Sequence, residues 1–354
     1  MERLADGGFD LRSRIKRLPA APFIIFGFWV LVLILAAILD MPWIWLVSDS
    51  LQRAAIWGML VLAMVPSIQS GTGPNFALQV GLTAGMLAMV IAIEWNFTGY
   101  SMLLVAAGIA LVLGVIMGYL YGKLMNAVKG SEMAIATYTG LAITMVFFIV
   151  WLQAPFTHPN LGWFLGEGLR NTVLLEPMGA NELLDNIWRI EIGDFTIRTG
   201  TLLVFFAFCA IIYLFFKSKT GIAISAVGSN PMFARAAGLN VDRSRVTANI
   251  ISTCLASVGV VVYAQSFGFL QLYDFPLWMA FPAVASVLVG GATAQRAKVI
   301  HAIIGVILFQ GLMTTVPPVF TELLAGADMT DAARMVMQNA IILYALTKMK
   351  GGGK

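Results

Sequence analysis

Long apolar runs, separated by short polar connections, account for most of the chain. Runs long enough to cross a bilayer fall near 23–39, 53–68, 74–94, 100–122, 132–151, 199–216, 247–268, 277–294, 299–316 and 333–348. A helix needs ~20 apolar residues to cross a hydrocarbon core ~30 Å thick. Inside lipid it also satisfies its own backbone donors and acceptors. The pattern therefore predicts an all-α integral membrane protein of about ten transmembrane helices. The run at 53–68 is short and reads as tilted or partly re-entrant.

Loop charges orient the spans. The amino-terminal arm, 1–22, carries Arg3, Arg12, Arg14, Lys16 and Arg17. No small-residue cleavage site follows, so it reads as a retained cytoplasmic arm resting on membrane lipid headgroups. With that end inside, ten spans also place the loops 123–131, 217–246 and 295–298 and the tail 349–354 inside, and those segments are basic. The acidic loops 152–198 and 317–332 fall outside, as the positive-inside rule requires. The transmembrane domain is thus 23–348, with both termini cytoplasmic. Within the long outer loop, Leu183, Leu184, Ile187 and Ile190 recur at helical spacing, which predicts an amphipathic helix over 181–192 that lies on the membrane surface or covers the outer mouth.

Composition agrees, with 59% hydrophobic and 11% charged residues against about a quarter charged in soluble domains. The net charge of +4 sits at run ends, so it is a topology signal and implies no nucleic-acid partner. Cys209 and Cys254 each lie inside an apolar run and read as unpaired, buried thiols. Ala110, Gly114, Gly118 and Gly122 recur every fourth position, and Gly81 with Gly85 forms a second such pair. Small-residue stripes of this kind bring helices into close contact.

Catalytic chemistry is not evident. The sequence has no phosphate-binding GxxxxGK[ST] loop, no HExxH or Cys/His cluster around its two histidines, and no Gly-x-Ser-x-Gly elbow. No metal or cofactor is expected, and nucleotide hydrolysis is expected on another subunit. The apolar runs are nearly free of charge except at their ends, which suits a path for a neutral, hydroxyl-rich solute. Asn75 and Gln79 sit four apart beside Phe76, just after Gly71, Gly73 and Pro74. A broken helix there would line a cavity. Gln265 and Phe267, with Tyr263 and Ser266, form a polar-aromatic group on a later span, and Gln310 and Asn339 lie in two others. The candidate path is Asn75, Phe76, Gln79, Gln265 and Phe267. Each amide also has a plain reading as an interhelical hydrogen bond.

The polar island from Ser225 to Val246 predicts a capped helical stub ~10 Å long. Asn230 is a good N-cap, Pro231 suits the first turn, and Gly238 suits the C′ position. Met232, Phe233 and Arg235 would face a cytosolic partner.

The stretch KSKTGIAISAVGSNPMFARAAGLNV resembles the permeases of bacterial ABC importers of the ribose/simple-sugar class, a family that extends to nucleoside, autoinducer-2 and branched-chain amino-acid permeases. The residues that carry the likeness are Thr220, Gly221, Ala226, Gly228, Asn230, Ala234, Arg235, Gly238, Leu239, Asn240 and Val241. Gly290, Gly291 and Ala292 match a second family core, while Ala294, Gln295 and Arg296 stand where glycines are usual. The resemblance implies the membrane-spanning permease of an importer for a simple sugar or nucleoside, in a bacterial inner membrane. It implies ATP-binding subunits, a solute-binding protein and a second permease copy or paralogue as partners. Asn230, Pro231, Met232, Phe233, Arg235 and Gly238 would form the coupling helix gripped by the ATPase. Two other readings are a secondary transporter and a membrane enzyme or assembly scaffold.

Overall fold

The computed structural model describes residues 20–163, 168–193, 195–323 and 330–351. The arm through residue 19, the acidic Glu167, Asp194 and Asp328, and the tail beyond 351 lie outside the described residues.

The chain is a mostly helical, multi-pass membrane protein. Helix α1 (Ala20–Ile38) is followed by α2 (Trp43–Leu62), which runs into α3 (Met64–Gln69). Next come α4 (Leu78–Glu94), α5 (Gly99–Ala127), α6 (Glu132–Gln153) and α7 (Thr199–Lys217). Two short helices, α8 (Lys219–Ser229) and α9 (Pro231–Ala236), lead into the long α10 (Val241–Phe267). Then follow α11 (Phe275–Trp278), α12 (Ala280–Val289), α13 (Val299–Leu323) and α14 (Thr330–Gly351).

All ten apolar runs fall on helices, but they are not equivalent. Among the described residues, six helical segments are long and apolar enough to cross a membrane: Trp43–Gln69, α5, α6, α7, α10 and α13. Three apolar helices are shorter: Pro22–Ile38, Leu78–Glu94 and Phe275–Val289. The tenth run lies on α14, diluted by Asp331, Arg334, Gln338 and Asn339. The run at 53–68 is not a short helix. It belongs to a 27-residue rod, Trp43–Gln69, whose first turns carry Ser48, Asp49, Ser50, Gln52 and Arg53. Those polar residues lower the local hydropathy without ending the helix, so Asp49 and Arg53 fall within a span.

Helix α10 is the core of the bundle and packs on α5, α4 and α2. Its closest neighbour is the small-residue stripe of α5. A methyl group on Gly118 would approach Ile250 Cα to 2.9 Å, and one on Gly122 would approach Val246 Cα to 3.0 Å. Ser257 Oγ donates to the Ala110 carbonyl at 2.9 Å across this contact. Gly81 of α4 abuts Thr253 O and Ala256 on another face of α10. Glycine here lets two backbones meet, as close packing within lipid requires.

The two ends of the bundle differ. At one end strand β1 (Thr172–Leu174) pairs antiparallel with β4 (Phe269–Gln271), and β2 (Arg189–Ile192) pairs with β3 (Phe195–Arg198). This strand end contradicts the amphipathic helix expected over 181–192. Residues 181–188 form turns, and β2 follows. Glu182 and Trp188 adopt left-handed backbone at φ 50° and 51°, which a helix does not accept. The backbone N–H groups of Glu182 and Leu184 instead donate to the carbonyl and side chain of Gln265 at 2.6 and 3.1 Å. The opposite end carries α8 and α9 and is the stub end.

Candidate functional site

Local capping chemistry builds the stub. Asn230 Oδ1 accepts from Phe233 N at 3.0 Å, and Pro231 opens α9, where a missing N–H costs nothing. The helix ends in a Schellman motif. Gly238, at φ 81°, donates to Arg235 O, and Leu239 donates to Ala234 O, each at 3.0 Å. Leu239 then packs with Val227, Ala234 and Val241 in a small cluster separate from the main core. That anchors one face of α9 and turns the other outward, leaving Met232 79% and Phe233 69% exposed beside the exposed Arg235. Asn240 caps the next helix by accepting from Arg243 N at 2.9 Å, so α10 starts six residues before its apolar run.

The stub rests on the broken segment between α3 and α4. Gly71 and Gly73 take left-handed backbone at φ 76° and 83°, which glycine adopts without strain. Gly71 lies against Gly228 of α8, where a methyl group would strike the Gln69 carbonyl. The Gln69 side chain in turn donates to the carbonyl of Ala297, between α12 and α13. Ala294, Gln295 and Arg296 close that turn without glycine, because Thr293 Oγ1 accepts from the N–H groups of Gln295 and Arg296 at 3.4 and 3.1 Å.

In the strand-end half, α2, α10, α13 and α14 enclose a cavity of about 470 Å³, within the usual range for small-molecule sites. Its aromatic walls are Trp45, Trp57, Tyr263, Phe267 and Phe309. Tyr263 and Phe267 stack with ring centroids 4.4 Å apart, and the Arg53 guanidinium lies 5.9 Å from the Phe267 ring. Arg53 Nε also donates to Asp49 at 2.9 Å, which fixes the guanidinium at the wall. Gln310, Gln338, Thr314, Thr330 and Arg334 complete the polar lining. Thr314 Oγ1 is buried without a hydrogen-bond partner. Pro317 and Pro318 sit inside α13 and cannot donate to the carbonyls four residues back, at Met313 and Thr314. Thr314 Oγ1 thus stands at the cavity wall with its hydrogen-bonding capacity unused.

Toward the stub end the same helices close. Met59, Leu60 and Gly259 meet in contact, and a methyl group on Gly259 would lie 2.9 Å from Leu60. Below them is a buried polar layer. Asn75 Nδ2 donates to Ser252 Oγ at 2.9 Å, and Ser252 Oγ donates to Ala63 O at 2.6 Å. Arg245 pairs with Glu132 at 2.5 Å between α10 and α6. Three groups in this layer lack partners: Gln79 Oε1, Asn249 Oδ1 and Arg245 Nε.

The five sequence-derived path residues divide between these regions. Phe267 lines the cavity. Asn75, Phe76 and Gln79 are buried in the stub-end half, where Phe76 packs on Phe281 at 5.8 Å. Gln265 is fully buried and holds the turn at Glu182 and Leu184. Asn339 is exposed on α14, whereas Gln310 reaches the cavity. Sequence reasoning missed Asp49, Arg53, Arg334 and Gln338. The i, i+4 pair Asp49 and Arg53 between tryptophans 43, 45 and 57 was the available signal.

A family profile described as "Branched-chain amino acid transport system / permease component" matches residues 46–346. The chain is similar to the nucleoside ABC transporter permease protein NupB of Lactococcus lactis subsp. cremoris, 27% identical over 313 residues, covering 83% of this chain and 82% of the relative. It is similar to the autoinducer 2 import system permease protein LsrC of Shigella flexneri, 26% identical over 315 residues, covering 89% and 84%. LsrC of Escherichia coli (strain K12 / DH10B) is 25% identical over 315 residues, with the same coverage. No solved structure matches the chain.

Proposed function

This chain belongs to the family of branched-chain amino acid transport system permease components, and we propose that it passes a nucleoside across the bacterial inner membrane. It is the permease subunit of an ABC importer for small polar solutes. Importers of this kind work with separate ATP-binding subunits and a solute-binding protein. In this reading the chain crosses the membrane ten times with both ends cytoplasmic, and a second permease copy or paralogue completes the pore.

The observation that carries the substrate class is the cavity of about 470 Å³, with five aromatic residues on its walls and two amides, two threonine hydroxyls, a carboxylate and two guanidiniums between them. A nucleobase stacks on aromatic faces and presents donors and acceptors at its edge, while its ribose carries hydroxyls. The Gln310 side chain makes no hydrogen bond among the described residues although the residue is buried, so its amide is free for such an edge. The similarity to NupB supports the same choice.

The basic stub end faces the cytosol and the strand end faces the solute-binding protein. The cavity is then open to the delivery side, and the packed polar layer closes the cytosolic side. Leaving Gln79 Oε1, Asn249 Oδ1 and Arg245 Nε unsatisfied costs about 1–3 kcal/mol each, a cost that water relieves when the inner side opens. Met232, Phe233 and Arg235 dock the ATPase. Nucleotide-driven movement of α9 reaches the inner layer through Gly228, Gly71 and the segment bearing Asn75. ATP favours the inward-open arrangement only by contacting the two states differently.

Uptake of radiolabelled uridine by the transporter reconstituted with its ATP-binding subunits and solute-binding protein tests this. Wild type should take up uridine, with competition by adenosine and none by ribose. Arg53→Ala should lower uptake ~10- to 100-fold, the equivalent of losing about 1.5–3 kcal/mol of charged hydrogen bonding. Basal ATP hydrolysis should persist in the variant. Competition by ribose but not adenosine would move the substrate to simple sugars.

A further inference from the structure

We propose that an anionic phospholipid headgroup binds between α5 and α10 at the stub end. A second cavity, of about 390 Å³, lies there and is distinct from the transport cavity. Lys123 and Arg243 line it, with Tyr119, Asp242, Thr247 and Ile250.

Its charge balance points to an anion. Asp242 is the acidic residue of the lining, and Lys129, outside the lining, already neutralises it at 2.5 Å. Lys123 and Arg243 are exposed, and neither has an acidic partner among the described residues. The cavity therefore presents two uncompensated cations to whatever occupies it. Lys123 Nζ lies 5.5 Å from the centre of the Tyr119 ring, which holds the ammonium at the mouth rather than leaving it free in water.

Position identifies the anion as lipid. The site falls where α5 leaves the apolar span at Lys123, with Lys129 just past its end, the inner membrane boundary in the orientation proposed above, on which this inference rests. From the cavity toward the strand end, α5 exposes Tyr119, Ile116, Val115 and Val112 in succession. A phosphate between Lys123 and Arg243 would therefore lie at the head of an apolar track suited to acyl chains. Basic pockets between helices at the cytoplasmic boundary take anionic lipid headgroups in this way. A soluble phosphate would gain the two cations but none of the track.

The test is thermal unfolding of the purified full-length permease in detergent, with additions of phosphatidylglycerol, phosphatidylcholine or inorganic phosphate. Phosphatidylglycerol should raise the Tm of the wild type by roughly 2–5 °C, while phosphatidylcholine and inorganic phosphate leave it in place. The double variant Lys123→Ala/Arg243→Ala should lose that response, and a control pair on the same end, Lys217→Ala/Lys219→Ala, should keep it. If the first double variant fails to fold, Lys123→Gln and Arg243→Gln are measured singly, and each should at least halve the shift. An equal response to both lipids, or a full response in these variants, overturns the proposal. So does stabilisation by phosphate alone, which marks a soluble ligand. A double variant that retains its lipid response but no longer binds the ATP-binding subunit assigns the patch to that protein. Loss of transport with lipid response intact leaves the solute reading standing and this one refuted.

Discussion

Between α2, α10 and α13 the strand-end half of the bundle keeps space, and the stub-end half does not. Around Arg53 and Gln310 the helices stand apart and leave about 470 Å³ lined with rings and polar groups. Around Gly71, Gly228 and Gly259 they approach closely, and a methyl group on Gly228 would collide with the Gln69 carbonyl. Both halves contain buried polar residues, but they are used differently. The cavity holds its polar groups against free volume, where the proposed solute would satisfy them. The inner layer holds Asn75, Gln79 and Asn249 against other side chains, with some atoms left unpaired. Unequal packing at the two ends is what a molecule caught on one side of an alternating cycle requires, because packed interfaces switch between discrete arrangements rather than deforming smoothly.

The sharpest way to break this contrast is to add bulk to both halves. Gly228→Val should cost about 3 kcal/mol, near the top of the overpacking range, because the new side chain meets the Gln69 carbonyl. Yield and Tm of the purified permease should fall. Thr314→Leu adds bulk at the cavity wall and should leave the stability within about 1 kcal/mol of wild type while reducing uridine uptake. Equal losses of stability from both changes would erase the distinction.

A smaller effect is expected at the docking face. Phe233→Ala removes an exposed aromatic anchor and should weaken assembly with the ATP-binding subunit by about 2 kcal/mol, or roughly 30-fold. Arg235→Glu should lower assembly and uptake together, with a folding cost within about half a kcal/mol. A pull-down and an uptake assay on the same preparations check both, and normal values in each would remove α9 from coupling.

Smallest of all is Gly238→Ala. Its φ of 81° suits glycine, and a Cβ there meets no other atom within 4 Å. The loss is therefore backbone strain of about 1 kcal/mol, confined to the stub. Assembly should weaken about fivefold, and a Tm decrease like that of Gly228→Val would show that the stub and the inner layer fold as one unit.

What was legible in the sequence follows from the range of the interactions. Asn230, Pro231 and Gly238 act on residues within a few positions, so a string of letters carries their geometry. The Gly114, Gly118 and Gly122 stripe was readable for the same reason, although its partner on α10 was not. The cavity was hidden because it joins residues from four helices between Trp45 and Gln338. Hydropathy obscured it further, since Asp49 and Arg53 shortened one apparent span and Arg334 diluted another. The turns before β2 were misread because leucine and isoleucine spacing cannot reveal that Gln265 takes the backbone donors of Glu182 and Leu184.

The central claim is that the Arg53–Gln310 cavity opens to the delivery side while the Asn249 layer is sealed. Single cysteines at Thr314 and Asn249, introduced with Cys209 and Cys254 replaced by alanine, test it in the assembled transporter in sealed vesicles of known orientation. Without nucleotide, a membrane-impermeant maleimide added on the delivery side should label the Thr314→Cys variant, and uridine should protect it. The Asn249→Cys variant should stay unlabelled until ATP turnover opens the cytosolic side. Labelling of the Thr314→Cys variant from the ATPase side in the absence of nucleotide would contradict the account.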